Sequence, residues 1–135
     1  MGWFSKKPRS AAEQAGLPAN LGPFLADFGK ATVKGPALWP VLPADLVLPL
    51  YHLSERDRGL FYAVLAEAAE PQGEWGWIGA ARAVKDVGPS GYLSEKGYAA
   101  VMEPATAALR RMGAPLAPIE ADWWDAHHPN ESWRL

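Results

Sequence analysis

Cysteine is absent from the 135-residue sequence. That excludes disulfide stapling, thiol catalysis and thiolate metal sites, although it does not separate one cellular compartment from another. Histidine is scarce, with three in the chain, so few residues are available for general acid–base work or metal ligation. No apolar run approaches the roughly 18 residues needed to span a bilayer. The basic start, with Lys6, Lys7 and Arg9, leads into Ser10 to Gln14 rather than an apolar segment, so the sequence carries no signal-peptide pattern. Lys6 also stands where the myristoylation motif wants Ser or Thr. These absences together predict a soluble, cytoplasmic protein with no membrane partner. An excess of either charge is missing too: the formal net charge is -2, which gives no global electrostatic reason to bind nucleic acid or an anionic surface.

What is present is apolar surface in helical register. Hydrophobic residues make up 49% and charged residues 21% of the chain, values of a globular protein rather than a disordered one. The length suits one domain. The clearest amphipathic segment is Ser54 to Glu70, in which Leu60, Phe61, Val64 and Leu65 recur at helical spacing and form one stripe. Ser54 reads as its N-cap, with Asp57 three positions on, and Pro71 as its stop. A helix of this length is marginal alone, so those four side chains predict a shared interior.

Other helices follow from caps and breakers. Ser10 and Glu13 form a capping box for a short helix closed by Gly16. Asn20 precedes a second helix over Leu21 to Lys30, with Leu21, Phe24, Leu25 and Phe28 inward. Pro36, Pro40, Pro43 and Pro49 exclude a continuous helix between Lys34 and Leu50, and the segment reads as an apolar coil across the helices with at most a short strand at Leu46 to Leu48. Glu70 to Trp75 reads as a turn, and a helix is predicted from Trp77 to Asp86. Ser94 starts another helix, which Pro104 ends or bends before the pattern resumes through Met112. The fold class is therefore all-α, one compact domain of four to six helices spanning residues 10–135, with residues 1–9 a basic and aromatic flexible terminus.

Seven tryptophans stand in the chain, more than a core of this size is expected to bury completely. Trp123, Trp124 and Trp133 lie among Asp122, Asp125 and other acids, a composition suited to a protein contact with a basic surface. The leading functional expectation is a non-catalytic protein-binding domain of adaptor, inhibitor or antitoxin-like type, engaging another protein or a second copy of itself. No cofactor is implied. A second reading takes residues 78–102 as a helix-turn-helix, with Arg82, Lys85, Lys96, Arg110 and Arg111 as phosphate contacts. A third takes Asp122, Asp125 and His128, which share a face at helical spacing, as ligands of a divalent ion in a metal-dependent enzyme. His52, near Glu55 and Asp57, is the candidate general base. Gly73, Gly76 and Gly79 lack the strand and the Lys-Ser/Thr pair of a phosphate loop, and are expected to let Trp75 and Trp77 approach the backbone at a turn.

Overall fold

A computed structural model describes residues 10–17, 20–34, 44–87 and 96–113. These residues form six α-helices: α1 (Ala11–Ala15), α2 (Leu21–Lys34), α3 (Ala44–Arg56), α4 (Arg58–Ala69), α5 (Gly73–Val87) and α6 (Lys96–Met112), with a 3₁₀ turn at Glu70–Gln72. No strand occurs among the described residues, and the protein is an all-α domain.

The short α1 exists because both of its ends are closed. The Ser10 hydroxyl accepts from the Glu13 amide at 3.1 Å, and Gly16 takes a left-handed φ of 72° while Leu17 donates back to the Ala12 carbonyl. A third tie comes from far along the chain: both carboxylate oxygens of Glu67 accept from the Ala11 amide at 3.0 Å. Five residues have little intrinsic helicity. The anchor on α4 and the burial of Ala11 and Leu17 supply what propensity cannot.

Leu21, Leu25 and Phe28 of α2 are buried, and Phe24 stacks on Phe28 with ring centroids 5.7 Å apart. Against this stripe lies α5, whose Ile78, Ala81 and Val84 are also buried. The two helices approach so closely that a Cβ on Gly79 would run into the Leu25 carbonyl, and one on Gly29 into the Trp75 carbonyl. Gly79, like Gly76 against the Ala69 carbonyl, thus serves close packing of α5, whereas Gly73 begins the helix with a φ of 70° and nothing near it. The expected turn over Glu70 to Trp75 is shortened to the 3₁₀ turn, since α5 begins at Gly73 and takes in both Trp75 and Trp77, half-buried against the core.

Two expectations about the middle of the chain are corrected. From Ala44 onward the proline-rich stretch is helix rather than coil, and Leu46 to Leu48 is not a strand. Leu46, Leu50 and Leu53 recur four and three residues apart and are buried. At roughly 1.5 to 3 kcal/mol each, these leucines outweigh the roughly 3 kcal/mol that Pro49 costs inside the helix. The carbonyl that Pro49 deprives of a partner belongs to exposed Asp45, where water can replace the lost bond. Residues 35–43, the remainder of the expected coil, lie outside the described residues.

The second correction concerns Ser54 to Glu70, which is not one helix. Asp57 leaves helical geometry with φ -151° and ψ 88°, and its carboxylate accepts from the Leu60 amide at 3.1 Å. Asp57 is therefore the N-cap, α3 ends before it, and α4 starts after it. Ser54 is buried inside α3 and donates its hydroxyl to the Tyr51 carbonyl at 2.7 Å. The predicted interior stands: Phe61, Val64 and Leu65 are buried, with Leu60 packed at the margin.

Helix α6 runs unbroken through Pro104. The carbonyl four residues earlier belongs to exposed Ala100, the same solvent-side arrangement as at Pro49. Tyr98, Val101, Met102, Ala105, Ala108 and Leu109 are buried. Arg111 near the end of α6 donates to Glu74 near the start of α5 at 2.7 Å, so the two helices run antiparallel.

Candidate functional site

Because α3 buries Leu46, Leu50, Leu53 and Ser54, helical geometry sends Asp45, Leu48, Tyr51, His52 and Glu55 to the opposite side, and all five are exposed. Leu48 retains 57% and Tyr51 46% of its surface, and they are the large hydrophobic residues left exposed among the described residues. They lie one turn apart on one helix. Isolated exposed apolar residues are ordinary, but two adjacent ones with half-buried Val47 beside them make a small contiguous patch. Carboxylates of Asp45 and Glu55 stand at its two ends.

Sequence reasoning missed this face because it treated Pro49 as a helix stopper. The signal was present in Leu46, Leu50 and Leu53: once that spacing is accepted as helical, Leu48 and Tyr51 fall on the outer side. His52 belongs to the same surface, with its ring edge-on to Tyr51 at 5.8 Å. Of the two carboxylates near it in sequence, that of Asp57 is engaged as the cap of α4.

The basic residues expected to meet DNA are divided by the antiparallel hairpin of α5 and α6. Arg82 and Lys85 lie toward the end of α5, where α6 begins at Lys96, whereas Arg110 and Arg111 lie at the far end of α6. Arg111 stands beside Glu74 at the start of α5, and at about 1.5 Å of rise per residue Arg82 and Lys85 lie roughly 12 to 17 Å farther along that helix. Arg82 is ion-paired with Asp86 at 3.0 Å and Arg111 with Glu74. On α6 the residues at the would-be reading end, Tyr98, Val101 and Met102, are in the core.

Trp123, Trp124, Trp133, Asp122, Asp125 and His128 lie outside the described residues, as does the basic start. Among the described residues no group of three or more His, Cys, Asp or Glu is placed to hold a metal ion, and no helix is long and apolar enough to cross a membrane. Comparison with known proteins finds no matching family model, no matching curated protein and no matching solved structure.

Proposed function

We propose that this small all-helical domain is a non-enzymatic binding module, of adaptor or inhibitor type, that engages a protein partner through the outward face of α3. The observation that supports it is the exposure of Leu48 and Tyr51 side by side on one helix. Aromatic and apolar anchors ringed by polar residues are the usual centre of a protein contact. Trp123 and Trp124, with Asp122 and Asp125, extend this proposal as a second, acidic contact for a basic partner.

The test is recovery of a defined complex by affinity purification with wild-type protein and with Leu48→Asp and Tyr51→Asp. Neither side chain contributes to the core, so both variants should melt within a few degrees of wild type while the complex is lost. Retention of the complex by both variants would remove α3 from the contact surface. A further loss in Trp123→Ala/Trp124→Ala would assign a share of the binding to the C-terminal segment.

A further inference from the structure

A cavity of about 270 Å³ opens between α1, the first turn of α2 and the end of α4. Leu17, Leu21 and Pro71 give it apolar walls, and Glu13, Glu67 and Gln72 stand in its lining. Among the described residues of that lining there is no lysine, arginine or histidine, and the charge they carry is that of two carboxylates.

These carboxylates differ in how far they are satisfied. Glu67 receives the Ala11 amide on both oxygens, one neutral donor for a group with about four acceptor sites. The Glu13 side chain is exposed and has no hydrogen bond or ion pair among the described residues. Such a cavity sets two carboxylates beside apolar contact. Its volume falls just under the roughly 300 Å³ at which small-molecule pockets begin, which limits an occupant to a few heavy atoms.

We propose that this cavity binds a small organic cation, an ammonium or guanidinium group carried on a short alkyl chain. The alkyl chain lies against Leu17, Leu21 and Pro71 while the cationic head donates to Glu13 and Glu67. The same chemistry is offered by a free amine and by the end of a lysine or arginine side chain on another protein. The site stands apart from the α3 face and does not depend on the function proposed for it.

The experiment is a titration of the full chain, followed by amide NMR, with butylammonium, butylguanidinium, neutral n-butanol and a terminally blocked Gly-Arg-Gly peptide. Saturable shifts at Leu17, Gly22, Ala68 and Gln72 are expected with the two cations, with n-butanol far weaker. Glu13→Gln should weaken binding by about tenfold, the worth of one charge-assisted hydrogen bond. Glu55→Gln, an equal charge change on α3, should leave binding unaltered. Glu67→Gln retains an amide oxygen for Ala11 and should also weaken the cations. Binding of the blocked peptide as tightly as butylguanidinium assigns the site to a partner's side chain, and its failure where the free cations bind assigns the site to a small amine. Absence of saturable shifts, an equal response to n-butanol, or indifference to Glu13→Gln would overturn the proposal.

Discussion

Gly79 and Gly59 are both helical glycines, and the space around each gives them opposite expectations. A methyl group at Gly79 meets the Leu25 carbonyl, part of a helix backbone that cannot rotate aside. At Gly59 the nearest atom is Asp57 Oδ1 at 3.7 Å, an ordinary contact. Gly79→Ala should therefore destabilise the domain by at least ~1 to 3 kcal/mol through overpacking. Gly59→Ala should instead stabilise it by roughly 0.5 to 1 kcal/mol through restored helix propensity. Urea denaturation of the two variants against wild type checks both. Neither sign can be read from glycine's place in the chain alone, because what differs is the helix packed opposite.

Among the elements, the junction of α3 and α4 shows how much of the fold was legible beforehand. The stripe Leu60, Phe61, Val64 and Leu65 announced its buried face correctly, as did Leu21, Leu25 and Phe28 for α2, because hydrophobic spacing reports burial directly. Cap choice was less visible. Ser54 and Asp57 are both acceptable N-caps by type, and what decides between them is that Leu46, Leu50 and Leu53 extend the preceding helix past Ser54. Asp57→Ala should cost about 1 kcal/mol, between the roughly 0.5 and 2 typical of N-cap loss, whereas Glu55→Ala on the exposed side should change little. Thermal melts of both variants measure the difference. The prolines misled for a related reason. A breaker is scored by its own backbone, but Pro49 and Pro104 are accommodated because Asp45 and Ala100, whose carbonyls lose their partners, face solvent. The α3 face was hidden by that error, while the cavity is assembled from two stretches distant in sequence, one between residues 10 and 23 and one between 67 and 72, and had no local signature.

For the molecule as a whole, α5 is the central element. It packs against α2, α4 and α6, and eight of its fifteen residues are buried. Local opening is cheapest where least is buried, so amide exchange should be slowest in α5 and fastest in α1, with α3 closer to α1 than to α5. Protection of α1 equal to that of α5 would contradict this ordering. Exposed ion pairs such as that of Arg111 and Glu74 contribute at most about 1 kcal/mol each, so salt should shift the melting temperature only slightly.

The tie between Glu67 and the Ala11 amide spans 56 positions of chain. During synthesis α1 emerges early and its long-range acceptor much later, so the short helix has no anchor until α4 has cleared the ribosome. A nascent chain stopped before Glu67 would carry Ala11 and Leu17 uncovered, and chaperones that bind exposed apolar segments would find them there.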